Sequence, residues 1–128
     1  MRLSLNKDLG FTREDRAENV RRVSEVARVL YDAGLVVIVA LVSPYAEDRA
    51  QARKLFPDGD FYEAWVNTPA SICSERDPKG LYKKAAEGSL PNLTGINQSY
   101  EPPSDEVREL DGTMGVEENV EILLGDIS

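Results

Sequence analysis

Val20, Val23, Ala27, Leu30 and Tyr31 recur at helical spacing, while Arg13, Glu14, Glu18, Arg21, Glu25, Arg28 and Asp32 fall on the opposite face. This spacing predicts one amphipathic helix. Thr12, with Asp15 three residues on, makes a capping-box-like start, and Ala33-Gly34 supplies a stop. The period then changes. Leu35 to Val42 is an unbroken, largely β-branched apolar run, the pattern of a strand buried on both faces in a parallel sheet. It ends at Ser43-Pro44. Ligands collect beyond the carboxyl ends of strands in open α/β sheets, so Ser43 occupies a favoured position for chemistry. The other reading of Ser43 is a serine that caps the next turn.

Tyr45 to Phe56 predicts a short polar helix stopped by Pro57-Asp58-Gly59, and Phe61 to Val66 a second strand. Thr68-Pro69 reads as an N-cap with proline at the first helical position, opening a helix through about Glu75 that delivers Arg76. Asp77-Pro78 breaks that helix, Gly80 to Glu87 restarts one and Gly88 ends it. Leu90 to Pro103 predicts an ordered surface loop, Val107 to Leu110 a last short strand, and Val116, Val120, Leu123 and Leu124 one face of a closing helix. Helices alternating with strands at this spacing imply an α/β fold layered around a mostly parallel sheet.

Composition narrows the chemistry. The 128 residues, 41% hydrophobic, suit a single domain over residues 1–128 with one core. The longest apolar run is far short of the roughly 20 residues that span a bilayer, so the expectation is a soluble protein. Cys73 is the only cysteine, which excludes an intramolecular disulfide and points to a reducing cytoplasm. The absence of histidine excludes Ser-His-Asp and Cys-His catalysis and histidine-based zinc sites. Carboxylates, cations, hydroxyls and backbone remain. Against a net charge of -8, Arg76, Lys79, Lys83 and Lys84 lie together, while Arg108 is the only cation after them. That balance disfavours an extended nucleic-acid-binding face and suits a compact anionic ligand bearing phosphate or sulfate.

Six blocks carry a resemblance: Leu5-Asn6-Lys7-Asp8-Leu9-Gly10-Phe11, Asp15-Arg16-Ala17-Glu18-Asn19-Val20-Arg21-Arg22, Asp32-Ala33-Gly34-Leu35-Val36-Val37-Ile38, Ser43-Pro44-Tyr45, Arg76-Asp77-Pro78-Lys79-Gly80-Leu81-Tyr82-Lys83-Lys84-Ala85 and Thr94-Gly95-Ile96. In this order and spacing the chain resembles the adenylylsulfate kinases, which transfer the γ-phosphate of ATP to the 3′-hydroxyl of adenosine 5′-phosphosulfate in sulfate assimilation. The resemblance implies a three-layer P-loop kinase fold. It also implies that Arg2, Arg16 and Asn19 hold the phosphosulfate substrate and that Phe11 stacks on its adenine. A guanidinium fork suits phosphate or sulfate and an aromatic face suits a purine. Val42 and Ser43 fall at the family's substrate site, and Ser43 is the position that some members carry as a phosphoserine. Lys79 belongs to a mobile lid over the substrate, and Arg76 at the lid's base faces the nucleotide phosphates. Ser43 and Lys79 are the candidates for catalytic roles.

Departures from the family pattern accompany the matches. Leu93 stands where a second aromatic usually sandwiches the adenine, leaving an apolar contact in place of stacking. Ala46 and Asn67 replace a commonly polar residue and a common aspartate. No Gly-x-x-x-x-Gly-Lys-Ser/Thr occurs in these residues, nor does the Asp-Gly-Asp segment expected just before Arg2. The first of these normally cradles the ATP phosphates and, through its hydroxyl, Mg2+. The expectation is therefore an N-terminally truncated kinase sequence holding the substrate half and the lid, weak or inactive alone. A non-catalytic adenylylsulfate-binding or regulatory module is the alternative. In this fold the P-loop strand lies centrally, so Leu35 to Val42 should lack a neighbour, and an unpaired edge invites association. Expected partners are adenosine 5′-phosphosulfate and either a second copy or a chain supplying the missing half, with neither nucleic acid nor membrane.

Overall fold

The computed structural model describes residues 3–91, 93–95, 98–104 and 106–128. Its elements are α1 (Arg13–Asp32), α2 (Ala46–Arg53), β1 (Ala64–Asn67), α3 (Ala70–Arg76), α4 (Leu81–Ala86), β2 (Arg108–Asp111) and α5 (Val116–Ile127). They fall into two compact units, Met1–Phe61 with Gln98–Pro102, and Tyr62–Asn97 with Pro103–Ser128.

In the first unit, α1 starts and stops where its sequence directs. The Asp15 amide donates to Thr12 Oγ1 at 3.2 Å, and the Asp15 carboxylate reaches back to accept from the Gly10 amide at 3.0 Å. Gly34, at φ +82, takes the left-handed turn after the helix. Its amide bonds Tyr31 O while that of Leu35 bonds Leu30 O, the paired bonds that satisfy the last carbonyls of a helix. Val20, Val23 and Ala27 bury one stripe of α1, together with Pro44 and Tyr45 at the entry to α2. At the far end of the helix, Tyr31 meets Phe56 edge-on with centroids 5.6 Å apart, and Phe61 lies 5.6 Å beyond Phe56. Helix α2 is shorter than the predicted 45–56. Its last turn tightens, the Leu55 and Phe56 amides bonding Ala52 O and Arg53 O.

Leu35 to Val42 corrects the sequence expectation. The run is extended, but no strand among the described residues pairs with it. It is not buried on both faces: Val36 and Ile38 are each 91% exposed. A strand becomes a buried parallel strand only when ladders form on its edges and elements cover its faces. The apolar run alone supplies neither.

In the second unit, β1 and β2 pair in parallel, with Trp65 opposite Glu109 and Val66 opposite Leu110. Leu110 is buried, and the Asp126 carboxylate accepts from both Tyr62 and Arg108, tying α5 to the strand region. Strand β1 begins three residues later than predicted. Helix α3 begins one residue later too, because the first intrahelical bond, from the Cys73 amide, goes to Pro69 O at 3.1 Å. Pro69 rather than Thr68 therefore stands at the N-cap.

If the edges of the 35–42 run are open in solution, its amides exchange with deuterium at close to intrinsic rates, whereas those of Val20 to Val29 are protected. Hydrogen-exchange mass spectrometry checks this. Protection of 36–42 comparable to that of α1 would show that the run is paired.

Candidate functional site

A loop docked on the first turns of α1 places three of the predicted residues together. Arg22 holds the loop down: Nη1 donates to Leu5 O at 3.0 Å and to Asp8 Oδ1 at 2.7 Å, Nη2 to Asp8 Oδ2 at 2.9 Å, and Nε to Glu18 Oε1 at 2.7 Å. Glu18 also takes a bidentate grip from Arg21, at 2.7 and 2.9 Å. These guanidinium bonds, Arg21's first and Arg22's next, hold the Glu18 carboxyl down at about 2. The bond from Arg22 lowers Asp8 as well.

At the next turn of the chain, Arg16 is buried and its Nε donates to Phe11 O at 3.2 Å. Gln98 Nε2 donates to the same carbonyl at 3.1 Å, so the Phe11 backbone is fixed from two sides. The Phe11 ring lies 5.7 Å from the Arg16 guanidinium and is 48% exposed. Asn19 is buried one helical turn after Arg16, and its Oδ1 accepts from Asn6 Nδ2 at 2.9 Å. A guanidinium, a carboxamide and an aromatic face thus converge at one loop–helix junction. That set can grip an anion beside a flat ring.

Val42 and Ser43 lie in the same unit, at the end of the extended run. Val42 is exposed and Ser43 half-buried. Ser43 has φ +41, a left-handed conformation uncommon for a residue with a Cβ. It is held there through its carbonyl, which accepts from Arg49 Nη1 at 2.7 Å. Arg49 Nη2 bonds Glu101 O at 2.7 Å, the Glu101 amide bonds Pro44 O at 2.8 Å, and the Glu101 carboxylate caps the Ala46 amide at 2.7 Å. Segment 98–102 therefore supports both the Phe11 carbonyl and the Ser43-Pro44 turn.

Arg76, Lys79 and Leu93 belong to the second unit. Arg76 Nη1 donates to Gly112 O at 2.8 Å, bracing the turn after β2. Lys79 is exposed on the 77–80 turn, where the Asp77 carboxylate accepts from the Tyr82 and Lys83 amides at 3.2 and 3.1 Å. Leu93 is half-buried. A cavity of about 520 Å³ lies at the carboxyl ends of β1 and β2, lined by Asn67, Pro69, Glu109, Asp111 and Thr113. Arg2 lies outside the described residues.

Sequence reasoning missed Asn6, Arg49, Gln98 and Glu101. Asn6 stood within a quoted block, but its role depends on Asn19, thirteen residues on. Glu101 was hidden in what read as a surface loop. The residues present do not fit the phosphates of ATP or Mg2+. The 128-residue sequence has no Gly-rich phosphate loop, the 520 Å³ cavity carries carboxylates rather than cations, and the described residues contain no cluster of three or more acidic, histidine or cysteine side chains that could hold a metal ion. Nor is any helix among them long and apolar enough to cross a membrane.

The α/β architecture with its parallel strand pair is that of a P-loop kinase. It superposes on the structure of the Mycobacterium tuberculosis APS kinase CysC in complex with AMPPNP and APS with a TM-score of 0.89 and 44% identity, over 98% of this chain and 73% of that one. The family model described as Adenylylsulphate kinase matches residues 1–110, and the chain belongs to that family. An adenylyl-sulfate kinase of Vibrio parahaemolyticus is 45% identical over 99% of this chain and 62% of its own length. The chloroplastic adenylyl-sulfate kinase 1 of Arabidopsis thaliana is 53% identical over 80% of this chain and 37% of its own. The chain thus spans less than two thirds of the length of these curated relatives.

The grip on Glu18 sets a pH dependence. Its carboxyl is depressed from 4.5 to about 2 on folding, so its contribution to stability is complete above 4.5 and is lost as pH falls toward 2. Thermal unfolding followed across that window should show a falling midpoint, and Arg22→Gln should make the fall shallower. Equal slopes for the two proteins would contradict the grip of Arg22 on Glu18.

Proposed function

We propose that this chain forms the adenylylsulfate-binding part of an adenylylsulfate kinase. The observation that carries the reading is the convergence of Phe11, Arg16 and Asn19 at one junction. Arg16 and Asn19 would hold the phosphosulfate, assisted by Arg2, and the partly exposed ring of Phe11 would take the adenine. By the family resemblance, Val42 and Ser43 would belong to the substrate site, and Leu93 would offer apolar contact to the adenine where the family usually has an aromatic. Lys79 would act on the substrate and Arg76 on the nucleotide phosphates, again by the family resemblance. The solved Mycobacterium structure, which contains both AMPPNP and APS, supports the pairing of these two ligands in the family.

In the whole enzyme the reaction is in-line transfer of the ATP γ-phosphoryl group to the 3′-hydroxyl of adenosine 5′-phosphosulfate, giving 3′-phosphoadenosine 5′-phosphosulfate. ATP would supply the transferred group, and Mg2+, where bound in a whole enzyme, would supply charge neutralisation. Because the residues present do not fit either, this chain's share is the acceptor side: it binds and orients the substrate and places cations near it. The 128 residues alone are weak or inactive as a kinase. Cytoplasmic sulfate assimilation is the setting, and a second copy, or a chain pairing with the open 35–42 edge, is the partner the exposed run suits.

Arg16→Ala removes a charged fork and should weaken adenylylsulfate binding on the order of 10- to 100-fold, the worth of one or two charge-assisted hydrogen bonds. Isothermal calorimetry on the folded protein measures it. No binding by the wild-type chain, or unchanged affinity in the variant, would remove the proposed site.

A further inference from the structure

We propose that Asn6 is a positioning residue that decides which end of the Asn19 carboxamide meets the anionic substrate. The proposal rests on the assignment of Asn19 to adenylylsulfate. Asn6 has 0% exposure, and its Nδ2 donates to Asn19 Oδ1 across a buried 2.9 Å bond. A carboxamide is chemically lopsided: its oxygen only accepts and its nitrogen only donates. With Oδ1 engaged by Asn6, the end of Asn19 left for a ligand is Nδ2, which makes no hydrogen bond among the described residues. Phosphate and sulfate oxygens are acceptors, so a donor has the right polarity for them. The opposite orientation would set one acceptor against another.

The holder is itself held. Leu5 O and the Asp8 carboxylate, on either side of Asn6, both bond Arg22, which follows Asn19 by three positions on α1. The Leu9 amide closes the turn by donating to Asn6 O at 3.2 Å. Loop and helix are therefore joined at two neighbouring points, and the Asn6 amide cannot swing away without breaking the Arg22 contacts as well. Packing does not explain an amide here. Asn6 Oδ1 is buried with no hydrogen-bond partner among the described residues, a polar cost that an apolar side chain of similar size would avoid. The group's function lies in the nitrogen it offers to Asn19.

A double-mutant cycle tests this, with adenylylsulfate affinity measured calorimetrically for wild type, Asn6→Ala, Asn19→Ala and the double variant. Each single change should weaken binding about tenfold, roughly one charge-assisted hydrogen bond, and the double variant should bind no more weakly than Asn19→Ala. Wild-type affinity in Asn6→Ala, or losses that multiply in the double variant, would overturn the positioning role. A wild-type chain that takes up no adenylylsulfate would instead overturn the functional reading itself, and the role with it. The unsubstituted protein gives a second readout that does not depend on a variant folding. In the 15N spectrum, the Asn19 side-chain NH2 should exchange with solvent in the free chain and shift on titration with adenylylsulfate. An Asn19 NH2 protected in the free chain and unmoved by the titration would contradict the proposed orientation.

Discussion

The docking of the loop at residues 4–10 onto α1 is the constraint on which the rest of the candidate site depends. Arg22 binds that loop at Leu5 and Asp8 while its Nε holds Glu18 on its own helix. Asn6 joins the same loop to Asn19. The chain enters α1 directly from this loop, with Gly10 bonded to Asp15 and Thr12 capping the helix. Phe11 and Arg16 therefore have little freedom relative to each other. Each exposed ion pair here is worth little alone. Their value comes from sharing two guanidinium groups, so that one loop position cannot move without disturbing several bonds.

Segment 98–102 adds a second constraint on the same unit. Gln98 fixes the Phe11 carbonyl, and Glu101, with Arg49, fixes the turn that gives Ser43 its left-handed conformation. Such backbone conformations persist only where the surroundings over-determine them, and here four hydrogen bonds do so. The consequence is a preorganised border to the site rather than a loop that must be ordered when a ligand arrives. Preorganisation of this kind lowers the entropy lost on binding.

Local signals were legible in the sequence and partner-dependent ones were not. Thr12, Asp15 and Gly34 act through bonds to residues within five positions, so the bounds of α1 could be read directly. The blocks around Phe11, Arg16 and Asn19 identified the family, and the structure brings those three residues to one place. By contrast, the burial of Leu35 to Val42 could not be read from its apolar pattern, because burial belongs to whatever pairs with it. The Arg49–Glu101 bond spans 52 residues, and nothing local in either segment announces it. Arg76 Nη1 also braces Gly112 O, a tertiary contact that the basic run around it could not indicate.

The central claim is that adenylylsulfate is held at the loop–helix junction by this chain itself. Mapping backbone amide shifts of the labelled chain during titration with adenylylsulfate tests it most directly. The account predicts that the largest changes cluster at Leu9 to Val20 and at Val42 to Ala46. Changes confined to the cavity at Asn67, Pro69, Glu109, Asp111 and Thr113, or no changes at all, would contradict it.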